Sequence, residues 1–223
     1  MAGITGYGAG LMLLPILTIF MGPKVAIPML SIIQLTSNTS RVAVNRKLIL
    51  WNYSVYYGLG ALPGAFLGVY LFTRFSPGAL SFFVGLYVLL IPLLRRRFNR
   101  EYKIKPLWFL LVGFFSSAIS GFVGIVGPVT APFFLALGLS KGAFVGTEAA
   151  GAVVVHAAKL IGYSATGSIT LRVFLYGCLI SPLAWLGSWI GKLCHNRMKD
   201  HHFTLLLDAV CIVFGLVLIL RRP

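Results

Sequence analysis

The stretch GYGAGLMLLP at residues 6–15 is echoed by GFVGIVGPVTAP at residues 121–132. Each stretch is a glycine-interrupted apolar segment that ends in proline, and superposing those prolines also aligns Lys24 with Lys141. In lipid, a helix break exposes backbone polar groups that only protein or a water-filled cavity can satisfy. Paired interruptions at matching places in two halves are typical of the substrate site of a secondary transporter.

The composition requires a lipid environment. The chain is 58% hydrophobic and 10% charged, with a mean hydropathy of +0.92, whereas soluble domains carry about 25% charged residues. Open strands cannot cross lipid and the period-two alternation of a barrel is missing. We therefore predict an all-α, polytopic transmembrane protein whose helices follow the apolar runs 9–20, 25–44, 49–73, 78–94, 107–139, 142–161, 171–191 and 203–220.

A polar linker, Arg95–Lys105, divides the chain into two predicted transmembrane repeats, residues 1–100 and 106–223, within one membrane domain. The net charge of +15 comes from basic residues between apolar runs. Basic residues in loops fix the orientation of a membrane protein and interact with anionic lipid headgroups. Lipid is therefore the expected partner, and nucleic acid is not. The three cysteines have neither CxxC nor zinc spacing, and no dinucleotide motif is present, so we expect no metal and no cofactor.

Loop charges bear on the orientation of the halves. The linker has six basic residues against Glu101 and is predicted to be cytoplasmic. We predict inverted repeats, in which Lys192–Lys199 shares that side. This requires residues 107–139 to be re-entrant or otherwise to change parity, and because the run is long for one span we expect a broken hairpin. Arg221 and Arg222 would then lie outside, which favours the alternative of parallel repeats. Residues 107–120 have no counterpart before the first motif, either because a half-helix was lost or because the true start lies upstream.

Three ionisable residues, Glu148, His156 and Lys159, share one face of the helix predicted over 142–161. Ionisable groups inside a membrane are functional candidates by default. We predict that His156 and Lys159 contact an anionic substrate and that Glu148 or His156 carries any coupling proton. The alternatives are a lysine that snorkels to the interface, a packing histidine and a glutamate at a helix terminus.

The matching run of the first half is unusually polar between Ser31 and Arg41. Hydroxyl and amide groups there could line a hydrated cavity for oxyanions, and Arg41 could bind one through two hydrogen bonds. The alternatives are interhelical hydrogen bonding and a topology anchor. The predicted substrate contacts of this run are Ser37, Asn38, Thr39 and Arg41.

Glycines are expected to shape the broken segments. A broken backbone would direct helix N-terminal N–H groups at an anion; the alternative is close helix packing through small residues. The run from Gly58 to Gly68 is predicted to be a packing face. The predicted broken-helix glycines are Gly6, Gly8, Gly10, Gly124 and Gly127.

These motifs resemble the TauE/SafE sulfite exporter family of membrane transporters. The resemblance is carried by residues 6–15 with Pro23-Lys24-Val25-Ala26, and by residues 121–132 with Ser140-Lys141-Gly142-Ala143. Glu148 stands where the family often has a small polar residue, and Gly127-Pro128 replaces the usual glycine run. The resemblance implies a bacterial-type inner-membrane permease for sulfur-containing or organic anions, such as sulfite or sulfonates.

The sequence thus predicts a multi-pass secondary transporter for a small anion, with proton or ion coupling, in the inner or plasma membrane. The alternatives are a membrane-embedded enzyme and a non-catalytic membrane or channel subunit. An enzyme would need a nucleophile with its base or a cluster of acidic metal ligands. The two acids within apolar runs, Glu148 and Asp208, lie far apart in sequence, so we expect no catalysis.

Overall fold

A computed structural model describes residues 8–97, 104–125, 127–182 and 200–220, and within them the chain is helical without strands. This confirms the predicted all-α class. The nine α-helices in the described residues are α1 (Gly8–Met21), α2 (Pro23–Asn45), α3 (Trp51–Arg74), α4 (Pro77–Arg97), α5 (Phe109–Val123), α6 (Gly127–Leu135), α7 (Lys141–Ala165), α8 (Leu171–Pro182) and α9 (Asp200–Leu220).

Among the described residues, three helical segments are long and apolar enough to cross a membrane. They are α3, α7 and the segment Pro106–Val123, which adds a 3₁₀ turn to α5. Shorter apolar helices surround them. Large apolar side chains point outward from α3, including Leu59 and Tyr70, which are more than half exposed. A lipid solvent explains such a surface.

The order of the helices repeats. Helices α1–α4 are followed by α6–α9 in corresponding order, and α5 has no counterpart among the described residues. α2 begins at Pro23 and α7 at Lys141, in agreement with the sequence alignment. The division of the chain at residues 100–106 remains a prediction, because it adjoins residues outside the described ranges.

Helices α3, α5 and α7 begin at the same end of the bundle. The Tyr53 hydroxyl near the start of α3 donates to the Ile104 carbonyl before α5 (3.2 Å), and the Leu50 N–H donates to the Thr147 hydroxyl in α7 (3.0 Å). We name this the linker end, because α4 ends and α5 begins there. The segment 106–140 therefore enters and leaves at the linker end as a hairpin of α5 and α6, as predicted for 107–139.

Equivalent helices of the two halves pack antiparallel. Gly146 near the start of α7 lies against Asn45 at the end of α2, while Gly85 of α4 approaches both Gly215 and Ile219 of α9, and Leu89 approaches Gly215. Corresponding helices run in opposite directions in an inverted repeat and in the same direction in a parallel one. Inverted orientation remains a prediction, and these contacts favour it.

Glycines set the close approach of α3 to α5. A Cβ at Gly60, Gly64 or Gly68 would overlap a backbone carbonyl oxygen of α5, and one at Gly113 would overlap the Tyr57 carbonyl oxygen. The spacing of four residues keeps these glycines on one face, which is how small residues bring membrane helices together. The predicted packing face is confirmed, and it fixes the hairpin against the long helix α3.

Candidate functional site

The second glycine motif is broken at Gly124. α5 ends at Val123, Gly124 has φ of 108°, and α6 begins at Gly127. A φ in this range is comfortable only for glycine, so the residue permits the chain to leave the helix. The break leaves carbonyl groups at the end of α5 without helical donors inside an apolar bundle.

Lys159 supplies a donor to that break. Its Nζ donates to the Gly124 carbonyl oxygen (2.8 Å) and to the Ser120 hydroxyl (3.1 Å), and the side chain is fully buried. A cation at a helix C-terminus also matches the negative end of the helix dipole. The contacts favour a role in holding the break, alongside the predicted contact with an anion.

Glu148 lies against α6, on the other arm of the hairpin. The Thr130 hydroxyl lies 3.4 Å from Glu148 Oε1 and 3.2 Å from the Gly127 carbonyl oxygen. Both side chains are buried, with 1% and 3% exposure for Thr130 and Glu148. The face of α7 predicted to carry chemistry therefore contacts both sides of the α5–α6 break.

His156 lies between Glu148 and Lys159 along α7. It is buried, and its Nδ1 has no hydrogen-bond partner among the described residues. The charges of Lys159 and Arg41 both act on this side chain. A buried polar atom without a partner is costly, and such atoms in native proteins call for an explanation such as a ligand or water.

A polar stripe runs along α2, and two of its residues, Arg41 and Asn45, lie near α7. Its members recur at intervals of four, three and four residues, which places them on one helix face. Arg41 donates to the Asn38 side-chain oxygen (3.3 Å) and lies close enough to Glu148 and His156 to interact electrostatically with both. The stripe consists of Gln34, Asn38, Arg41 and Asn45.

The other polar residues predicted on α2 lie elsewhere. Thr39 is exposed and donates to the Leu35 carbonyl oxygen in its own helix (2.8 Å), and Ser37 is half-buried. A cavity of about 450 Å³ opens beside α2 and α8, away from the stripe; it is lined by Thr36, Ser40, Cys178, Ser181 and Pro182. Thus Arg41 of the predicted set lies near the α7 cluster and donates to the buried Asn38, whereas the structure does not bring Thr39 to it.

The first glycine motif differs from the second. The helix is continuous from Gly8 to Met21, so it is not broken at Gly10; Gly6 lies outside the described residues, and Gly8 is the first of them. A Cβ at Gly10 would overlap the side-chain amide of Gln34. The expectation of a break is corrected for Gly10, which lies inside a continuous helix and leaves room for the Gln34 side chain; the expectations for Gly6 and Gly8 remain predictions.

Sequence reasoning missed Thr130 and Ser120, whereas Gln34 lies in the polar run that the sequence singled out but was not among the predicted substrate contacts. Each adds a hydroxyl or amide to the contacts of a predicted residue or motif. The signal was available for the two hydroxyl residues, because both lie within a few positions of Gly124 and Gly127. Hydroxyl groups beside a helix break often satisfy the freed backbone.

Comparison with protein families identifies the chain. A model of the family described as sulfite exporter TauE/SafE matches residues 1–218 of the 223. The chain belongs to the TauE/SafE family. This confirms the resemblance of the glycine motifs, and it makes the chain a membrane transporter of the class that moves sulfite or related anions. Comparison with curated proteins and with solved structures found no match.

Proposed function

We propose that this TauE/SafE protein is a multi-pass secondary transporter of the inner or plasma membrane that binds one small oxyanion between α2 and α7. The observation that carries the proposal is the buried His156 Nδ1, which lacks a partner among the described residues and lies within the field of two cations. An oxyanion would give this nitrogen a partner when the ring nitrogen carries a proton.

The location of the cluster supports the proposal. His156 and Asn38 lie away from the ends of α7 and α2, which are 25 and 23 residues long. These helices are equivalent in the two halves and pack antiparallel. Substrate sites of transporters built from inverted repeats lie near the bilayer midplane at the repeat interface.

The charges of the cluster suit an anion. Arg41 provides a cation and Lys159 an amine that is a cation when protonated, against the acid Glu148, and Asn38 adds an amide. The planar guanidinium of arginine presents paired donors that match oxyanions. Sulfite, a sulfonate or another small sulfur-containing or organic oxyanion fits both this donor set and the family.

Coupling to protons is proposed at Glu148 or His156. Both can change charge, and both lie buried on the face that contacts the broken hairpin. A proton taken up by Glu148 would remove a negative charge from beside the anion. Uptake of the anion would then be linked thermodynamically to uptake of the proton.

The test is counterflow in proteoliposomes. Vesicles loaded with unlabelled sulfite should accumulate labelled sulfite transiently, because only a carrier exchanges substrate against its gradient. Thiosulfate, small sulfonates and carboxylates in the loading solution would rank the substrates. Flux without counterflow would favour the channel alternative, and chemical conversion of an anion in the vesicles would favour a membrane-embedded enzyme.

Variants separate the binding site from the scaffold. Arg41→Gln should abolish most counterflow, whereas Arg46→Gln, at an exposed position just beyond α2, should retain it. Equal activity of the two variants at matched protein levels would refute the placement of the anion beside α2.

A further inference from the structure

The hydroxyl of Thr130, near the start of α6, lies within hydrogen-bond distance of two oxygen atoms, one in α7 and one in α6. One is Glu148 Oε1 at 3.4 Å and the other is the Gly127 carbonyl oxygen at 3.2 Å. Thr130 has a single hydroxyl proton, whereas its oxygen can also accept. The Gly127 carbonyl can only accept, so the protonation state of Glu148 decides whether the hydroxyl proton is donated to the carboxylate or to that carbonyl.

We infer that Thr130 is a positioning residue that transmits the protonation state of Glu148 to the first turn of α6. When Glu148 is ionised, it can only accept, so Thr130 donates to it. When Glu148 is protonated, it donates to the Thr130 oxygen, and the threonine proton rotates to the Gly127 carbonyl oxygen. One proton is added at Glu148, and no covalent bond of Thr130 changes. The inference rests on the proton coupling proposed above.

The start of α6 is a place where one hydrogen bond matters. α6 has nine residues, with proline at positions 128 and 132. Pro132 has no N–H to offer the Pro128 carbonyl, so the helix lacks a backbone bond. Helices of this length are marginal on their own. A side-chain hydrogen bond to the Gly127 carbonyl would form in one protonation state of Glu148 and be absent in the other. It would therefore stabilise the first turn of α6, the arm of the hairpin beside the break, in one state only.

Several charged or titratable groups surround Glu148. Arg41 approaches it from α2 and Tyr57 from α3, while His156 and Lys159 share its face of α7. These groups influence when Glu148 takes a proton. Thr130 is distinct because it lies within hydrogen-bond distance of both the carboxyl group and the backbone of α6.

Infrared difference spectroscopy of the full-length protein in liposomes, between alkaline and acid pH, tests the inference. The C=O stretching band of protonated Glu148 is the band that Glu148→Gln removes. Thr130→Val, which keeps the shape and loses the hydroxyl, should shift this band to higher wavenumber and move its titration midpoint. Thr130→Ser should restore both. Thr18→Val, which removes a buried hydroxyl that donates to the Leu14 carbonyl in α1, should leave the band unchanged.

Transport provides a second readout. Thr130→Val should make the pH dependence of counterflow shallower, and Thr130→Ser should retain the steeper profile. If Thr130→Val does not fold, Thr130→Ala is the second hydroxyl-free variant. An unshifted Glu148 band in both hydroxyl-free variants overturns the inference, as does the lack of any band removed by Glu148→Gln. Lack of counterflow in the unmodified protein overturns the proposed function instead. The infrared spectra would still test the hydrogen bond between Thr130 and Glu148.

Discussion

The ammonium group of Lys159 in α7 donates to the carbonyl oxygen of Gly124 at 2.8 Å, across the break that separates α5 from α6. The bond joins α7, which is continuous from Lys141 to Ala165, to the residue at which α5 ends. Lys159 is therefore placed to stabilise the break, and in the proposed site it would also lie near the anion.

Lys159→Met should destabilise the protein, because the Gly124 carbonyl and the Ser120 hydroxyl lose their donor in an apolar interior. An unsatisfied buried polar group costs about 1–3 kcal/mol. Lys159→Gln keeps donors and should cost less. Thermal unfolding in detergent, followed by size-exclusion chromatography, measures both. Equal midpoints for the methionine variant and the unmodified protein would show that the bond contributes nothing to stability.

Gly60→Ala should destabilise the contact between α3 and α5, because its Cβ would overlap the Leu110 carbonyl oxygen. Overpacking typically costs about 1–3 kcal/mol, and backbone atoms can move less than side chains. Gly58→Ala is the matched control in the same helix, since the atoms nearest its Cβ would belong to the Val154 side chain, the first at 3.2 Å. Similar thermal midpoints for the two variants would contradict this packing.

The helices and the hairpin were predictable because they follow from local physics. Apolar runs between charged linkers define the helices, and the glycine-proline motif of residues 121–132 marks the break at Gly124. The spacing of Gly60, Gly64 and Gly68 likewise predicts a packing face. Each of these signals lies within a short stretch of sequence.

The composition of the site was harder to predict, because it depends on the rotation of α2 and on pairs distant in sequence. Polar character alone did not distinguish Thr39, which is exposed, from Asn38, which is buried. The recurrence of Gln34, Asn38 and Arg41 along one face would have separated them. No local pattern predicts that Thr130 meets Glu148, 18 residues away.

The antiparallel packing of α4 and α9 predicts the topology. Helix α4 ends and helix α9 begins at the linker end. Cysteines placed at Asn99 and Asn196, which lie outside the described residues, should therefore be on the same side of the membrane. The basic linker makes that side cytoplasmic. In a background with the native cysteines replaced by serine, neither position should react with an impermeant thiol reagent added to intact cells.

A cysteine at Ser164 provides the positive control for the topology. Ser164 is exposed near the end of α7, opposite the linker end. It should react from outside. Labelling of only one of the two asparagine positions would favour parallel repeats, and labelling of both from outside would reverse the orientation.

Arg41→Lys should weaken anion binding although the charge is kept. Lysine cannot reproduce the paired donors of the guanidinium, and a lost hydrogen bond to a charged group costs about 1.5–3 kcal/mol. That corresponds to roughly ten- to hundred-fold in affinity. The half-saturating sulfite concentration in counterflow measures the effect, with Arg46→Lys as the control. Unchanged half-saturation would show that a point charge suffices at this position.

His156→Gln should alter the pH dependence of transport more than its extent at one pH. Glutamine retains a donor and an acceptor for the anion, but it cannot titrate, whereas an imidazole can change charge near neutrality. Counterflow measured from about pH 5.5 to 8 at matched protein levels gives the profile. A profile identical to that of the unmodified protein would exclude His156 as the coupling residue and leave Glu148 as the candidate for proton coupling. If Lys159→Gln also transported normally, the α7 face would be structural, and the anion would have to be held by the stripe on α2.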